Sequence, residues 1–277
     1  MSDVTNVATE GKAMLTNKNA VIYAAGGAIG GAIARAFARE GARVFLTGRN
    51  LSMSKVDEVA KEIMAAGGKA ESAQDDALDE QAVDRHLQSV IDKAGRTDIS
   101  FNAVGIPNTT LQGAPLVEPA VEQFSLPIAT YTRSYLLTAR LAARRMVEKR
   151  SGVIMTVTSV PSRTGIPLTG GVGPAMSAVE ALTRILFAEL APRGVRVVGL
   201  RPDGIPESGT IKEVYGLHAK AWGLSWERFH EMIASKNHRR RLPTLAELAN
   251  AAVFMASDKA SAMTGTVVNL SMGMLDN

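Results

Sequence analysis

The sequence predicts an α/β fold, a doubly wound parallel sheet with helices on both faces. Three observations carry that prediction. Short apolar runs alternate with amphipathic stretches of helical period along nearly the whole chain. Residues 19–49, NAVIYAAGGAIGGAIARAFAREGARVFLTGR, place a strand, a glycine turn, a helix and a second strand in direct succession. The 277 residues, 46% of them hydrophobic, suffice for one large α/β domain with a sizeable core.

The elements follow in order. An apolar run at 20–25 reads as a buried strand, and the glycines Gly26, Gly27, Gly30 and Gly31 come next. The helix after them carries Ile29, Ile33, Phe37 and Ala38 on one face and stops at Gly41. A second strand spans 43–47. A helix at 54–66 ends at Gly67-Gly68, and a short strand covers 69–73. A helix at 79–94 has Asp79 as its N-cap and Gly95 past its end, followed by a strand at 98–104. The long helix at 121–150 contains Pro127, which is expected to kink it or delay its start. The β-branched run at 152–158 is a strand, 172–191 a helix with Pro174 in its first turn, and 195–200 a strand. An excursion at 210–236 is helical and holds both tryptophans. Thr244 and Glu247 form a capping box for a helix at 244–257, and 266–270 is the last strand, giving about seven. In such sheets ligands bind beyond the carboxyl ends of the strands, here 24–27, 47–49, 75–76, 102–105, 158–160 and 201–204.

Composition narrows the class. No run of eighteen apolar residues exists, so no membrane partner is expected. Residues 1–17 read as a flexible leader without the apolar segment of a secretory signal, ahead of a single domain at 18–277. The lack of cysteine excludes thiol chemistry and fits a cytoplasmic home. Net charge is only +4, and the one basic run, His238 to Arg241, has no aromatic interleaving, so a nucleic-acid partner is not expected. No spacing of His, Asp or Glu suggests a metal site.

Several landmarks recur in a fixed order: Thr47-Gly48-Arg49-Asn50, Asp76, Asn102-Ala103-Val104-Gly105, a strand from Gly152-Val153-Ile154 to Ser159, residues 188–197 (AELAPRGVRV), Arg241-Leu242 with Glu247-Leu248-Ala249-Asn250, and Thr264-Gly265. In this order they resemble the short-chain dehydrogenase/reductase family over about residues 18–274. The resemblance implies a Rossmann-type sheet and a nicotinamide dinucleotide held by Gly26, Gly27, Ile29, Gly30, Asp76, Asn102, Gly105 and Pro202. It puts Ser159 at the family's catalytic serine and the substrate lid at about 205–240. Arg49 stands where an acid would bind a ribose 2′-hydroxyl, and a guanidinium suits a 2′-phosphate, so NADP(H) is expected over NAD(H).

The pattern departs from the family at its centre. The family places a tyrosine thirteen residues after the serine and a lysine four further on; from Ser159 these positions hold Val172 and Met176. The family's asparagine falls near Thr130. Neither Val nor Met transfers a proton, and losing a general acid costs about 10²–10⁴ in rate, or about 3–5 kcal/mol of barrier. The glycine motif is altered too, with Tyr23, Ala24 and Ala28 at positions the family gives to Thr, Gly and Gly. Asp203 and Gly204 follow Pro202 where one glycine is usual.

Replacement groups are few. Ser159 and Thr158 are hydroxyls at a strand end, able to donate to a substrate oxygen or to make a local hydrogen bond. Arg163 and the N-terminus opened by Gly170-Gly171-Val172-Gly173-Pro174 are candidate anion contacts, or a surface charge and a loop filling vacated space. The excursion offers Tyr215, His218, Trp222, Trp226 and His230; His218 is a candidate acid or base, and the tryptophans read first as packing. Asp203 is a further candidate. The reading adopted is an atypical, NADP-preferring oxidoreductase acting on an unknown small molecule, with a silent nucleotide- or partner-binding protein, or a lyase, dehydratase or cyclase, as alternatives. The resemblance also implies a homodimer or homotetramer joined through the helices at 121–150 and 172–191, where Ala139, Ala142, Ala143, Ala178 and Ala181 would permit close contact.

Overall fold

The computed structural model describes residues 13–276. Seven parallel strands form one sheet: β1 (Asn19–Tyr23), β2 (Arg43–Gly48), β3 (Lys69–Gln74), β4 (Ile99–Asn102), β5 (Gly152–Val157), β6 (Val195–Pro202) and β7 (Val267–Leu270). Their order is β3-β2-β1-β4-β5-β6-β7, which reverses direction between β1 and β4. That switch point opens a crevice at the carboxyl end of the sheet.

Helices cover both faces: α1 (Ala28–Arg39), α2 (Met53–Ala65), α3 (Glu80–Ala94), α4 (Val121–Lys149), α5 (Val172–Leu190), α6 (Gly209–Ala221), α7 (Trp226–Lys236) and α8 (Leu245–Ala256). Side chains alternate along each strand, and so do the two cores. Ala20, Ile22, Val44 and Leu46 meet Ile33, Phe37, Val56 and Val253 of α1, α2 and α8. Val21, Tyr23 and Phe45 meet Leu87, Leu141 and Leu186 of α3, α4 and α5.

Local chemistry explains most boundaries. Asp79 caps α3 by accepting from the N–H groups of Gln81 and Ala82 at 2.9 and 3.1 Å, and Gly95 ends it at φ 76°. Thr244 and Glu247 form the expected box at the start of α8. Pro127 neither delays nor ends α4, which runs through it. It costs one early hydrogen bond and packs against Gly171, where an added Cβ would lie 2.9 Å from the proline ring and 1.9 Å from the Phe124 carbonyl. The excursion is two helices, because Gly223 at φ 66° breaks the first and Ser225 caps the second. The two tryptophans therefore do not share a helix.

Of the expected leader, residues 1–12 lie outside the described residues. Residues 14–17 form a turn, with Leu15 fully buried and its N–H on the Glu40 carbonyl at 2.9 Å. Among the described residues no helix is long and apolar enough to cross a membrane.

Candidate active site

A cleft of about 670 Å³ runs along the carboxyl ends of the strands, from the first glycine turn to the underside of α6 and α7. At one end the turn 24–27 feeds α1. Ala24 adopts φ 57°, a left-handed conformation that the sequence pattern would give to glycine. Gly27 is the N-cap and provides no side chain, so the first N–H groups of α1 face the cleft uncapped. Gly30 must be glycine, since a Cβ there would lie 2.6 Å from the Ala24 carbonyl oxygen. Gly26, Gly27, Ile29, Gly30, Arg49, Asp76, Gly105 and Pro202 all line this cleft. The exposed Arg49 side chain makes no hydrogen bond or ion pair among the described residues. Asp76 accepts from the Leu78 N–H at 3.0 Å.

Asn102 is the exception. Its side chain donates to Thr138 at 3.0 Å and accepts from the Val104 N–H at 2.8 Å, so it shapes the loop after β4 without lining the cleft.

This end fits a dinucleotide. Uncapped helix N–H groups and a glycine that admits no Cβ suit a pyrophosphate, and the unpaired Arg49 stands on the rim beside them.

The middle of the cleft is apolar. Val172 and Met176 are buried in one cluster with Tyr131, Tyr135, Ala175 and Val179. Tyr135 is committed, its hydroxyl donating to the carbonyls of Val157 and Asn102 at 2.7 and 3.1 Å. Tyr131 lines the cleft, and burial raises its phenol above the ordinary range. Neither tyrosine was singled out from the sequence; each lies within a few residues of Thr130, the position that drew attention there.

Ser159 lines this section, and its hydroxyl makes no hydrogen bond among the described residues. Thr158 does not serve with it: its hydroxyl donates to Glu180 at 3.0 Å. Glu180, on α5, also accepts from Ser162 at 2.6 Å and from the Arg201 guanidinium at 2.7 and 3.1 Å. Burial alone would push the Glu180 carboxyl up, but Arg201 and Ser162 pull it below the usual range. This sealed ion pair beneath the Ser159 loop has no sequence signal, since it joins residues of α5 and β6 whose burial only the fold decides.

The far end lies under the excursion. Asp203 accepts from the Gly204 N–H at 2.7 Å and from Asn237 at 3.0 Å, so it ties the two ends of the excursion together. Burial raises its carboxyl. The Tyr215 hydroxyl packs over Gly204. His218 lines the cleft against Phe229, ring centroids 5.9 Å apart, and burial lowers its imidazole. Trp222 packs edge-on against Phe229, and Trp226 stacks on His230 at 5.1 Å, outside the cleft lining. Arg163 also lies outside it. In the basic run, Arg241 is spent on Glu247 at 2.5 and 2.8 Å. Among the described residues no cluster could hold a metal ion.

A family model described as enoyl-(acyl carrier protein) reductase matches residues 24–275. The chain belongs to the short-chain dehydrogenase/reductase family. An uncharacterised oxidoreductase of Bacillus subtilis is 31% identical over 261 residues, covering 94% of this chain and 92% of that protein. The 7α-hydroxysteroid dehydrogenase of Escherichia coli K12 is 27% identical over 266 residues, 94% of each chain. Among solved structures, a 7α-hydroxysteroid dehydrogenase complexed with NADH and 7-oxo glycochenodeoxycholic acid superposes with a TM-score of 0.83 at 26% identity, covering 96% of this chain and 97% of that one. Sorbitol-6-phosphate 2-dehydrogenase from Erwinia amylovora shares the fold, with a TM-score of 0.86 at 24% identity over 93% of this chain and 100% of the other. The short-chain dehydrogenase/reductase relatives are thus oxidoreductases, and the seven-stranded parallel sheet is theirs.

Proposed function

We propose that this chain is an NADP(H)-binding oxidoreductase of the family in which the usual tyrosine and lysine proton-transfer groups are replaced by Val172 and Met176. The observation that carries the reading is the uncapped N-terminus of α1 with the unpaired Arg49 on the same rim. The N–H groups of α1 hold the pyrophosphate, Arg49 holds the 2′-phosphate, and Asp76 and Gly105 border the nucleoside. A bound nicotinamide supplies hydride chemistry. Val157 and Val172, with Met176 and Tyr131, exclude water from the reacting region, and Ser159 offers a hydroxyl to a substrate oxygen. The enzyme is read as a cytoplasmic homo-oligomer without nucleic-acid or membrane partners.

Calorimetric titration with NADPH, NADH and NADP⁺, repeated on Arg49→Ala, tests this. NADPH is expected to bind, and to bind about 10–100-fold more weakly to the variant, as the loss of a charge-assisted contact dictates. NADH affinity should stay unchanged. No binding by any dinucleotide removes the reading.

The closed apolar cluster around Val172 and Met176 favours a second reading, a silent binder on the same scaffold. Val172→Tyr with Met176→Lys separates the two: ketone reduction gained only in the double variant identifies the natural chain as silent.

A further inference from the structure

His218 is held in one tautomer by a chain of hydrogen bonds that starts at a group unable to donate. Asn108 Nδ2 donates to the Ile106 carbonyl at 3.1 Å, and a carbonyl only accepts. That orientation makes Asn108 Oδ1 an acceptor, and Gln112 Nε2 donates to it at 2.7 Å. Gln112 Oε1 is then also an acceptor, 3.3 Å from His218 Nε2. In the neutral ring Nε2 must therefore carry the proton, and Nδ1 keeps its lone pair.

The chain is itself anchored. Glu213, on the same helix as His218, accepts from the Asn108 N–H at 3.1 Å and from Thr109 at 2.6 Å. Nδ1 has no partner among the described residues, yet it is not among the sealed polar atoms, and His218 lines the cleft. Nδ1 is an accessible proton acceptor on a residue that lines the cleft, whose middle carries an apolar pair where the family keeps its acid and base.

We propose that His218 Nδ1 is the group that exchanges a proton with the reacting oxygen of an uncharged, apolar alcohol or ketone, with Gln112 and Asn108 as positioning residues. This rests on the oxidoreductase reading above. In the oxidative direction the alcohol O–H bond breaks and an N–H bond forms on Nδ1. The O–H electron pair becomes the second carbon–oxygen bond, and the carbinol hydrogen leaves with two electrons to an oxidised nicotinamide, the co-reactant that reading supplies. Nδ1 then returns its proton to water.

Burial lowers the imidazole, so it is neutral and ready to accept at pH 7. Tyr215 and Glu213 on its own helix, Asp203 at the end of β6 and Lys236 at the end of α7 also border this end of the cleft. None of them contributes to that shift.

Nitrogen-15 NMR of the histidine-labelled full chain, with His218 assigned through His218→Asn, is the first readout and needs no turnover. The expected result is the Nε2–H tautomer, titrating below the ordinary histidine range and lost in Gln112→Leu. The second readout is NADP⁺-dependent oxidation of a panel of apolar secondary alcohols, cyclohexanol and 1-phenylethanol among them. The rate should fall on the acid side through the same ionisation. His218→Asn should lose about 10²-fold or more with NADPH affinity unchanged. An Nδ1–H tautomer, an unaltered rate and pH profile in His218→Asn, or cofactor binding without oxidation of any alcohol in the panel each overturns the proposal alone. Failure of the unmutated chain to bind any dinucleotide overturns the oxidoreductase reading and this proposal with it.

Discussion

Asp75 ends up 5% exposed at the carboxyl end of β3, and neither carboxylate oxygen has a well-formed hydrogen bond among the described residues. Burial, then the neighbouring Asp76 charge, pushes its carboxyl up to about 6. The unfolded chain would ionise it near pH 3.9. A raised folded value means that the folded state resists ionisation. The cost is absent below about pH 4, grows as pH rises towards 6, and is complete above that. Asp75→Asn should therefore stabilise the protein by on the order of 2–3 kcal/mol at pH 8, and by about half as much at pH 5. Urea unfolding at the two pH values checks this; an equal gain at both would mean that Asp75 does not titrate in this window. The sequence placed Asp75 at a strand end but could not show its burial, because an acid beside Asp76 reads as surface until the fold covers it. Gly30 and Arg49 were legible for the opposite reason: a glycine that admits no Cβ and a cation at a strand end have local causes.

At the scale of elements, α5 is the joint between the cleft and the sheet. Through Glu180 it binds Arg201 of β6, Thr158 at the end of β5 and Ser162 of the following loop. Glu180→Ala would remove the Glu180 counter-charge from a buried guanidinium and should cost about 3–5 kcal/mol, read from chemical unfolding. Glu180→Leu with Arg201→Met should return most of that loss, since an apolar pair carries no desolvation cost. A loss that persists in the double variant would assign the effect to packing. Helix positions were readable from periodicity and caps, as at Asp79 and Thr244. Pro127 does not delay α4 because the packing of α4 on Gly171 outweighs one missing hydrogen bond, a comparison that needs both helices in place.

At the scale of the molecule, the alternation of apolar runs with helical stretches was enough to fix a parallel sheet, though not which surfaces remain free. Of the alanines expected at a contact between subunits, Ala139, Ala142 and Ala143 are buried within the chain, and Ala178 and Ala181 are half-buried. Leu136 and Ile185, 41% and 57% exposed on α4 and α5, are among the large apolar groups those helices leave outside. Light scattering is expected to show a dimer or tetramer. Leu136→Asp with Ile185→Asp should shift it towards monomer; an unchanged mass would place the contact elsewhere.

The excursion between β6 and α8 has a core of its own, Val214, Tyr215, Ala219, Phe229 and Leu242, separate from the two cores of the sheet. A segment that buries its apolar surface internally opens at a lower free energy than the body it rests on. Backbone amides of α6 and α7 should exchange with deuterium as one cooperative group, well before those of β1, β4 and β5, and slow together when a ligand fills the space beneath. The same independence makes this stretch exchangeable in the course of descent. Away from the residues that face the cleft or the loop after β4, such as His218 and Glu213, its sequence can change without disturbing the sheet, so substrate range and sheet stability can be selected separately.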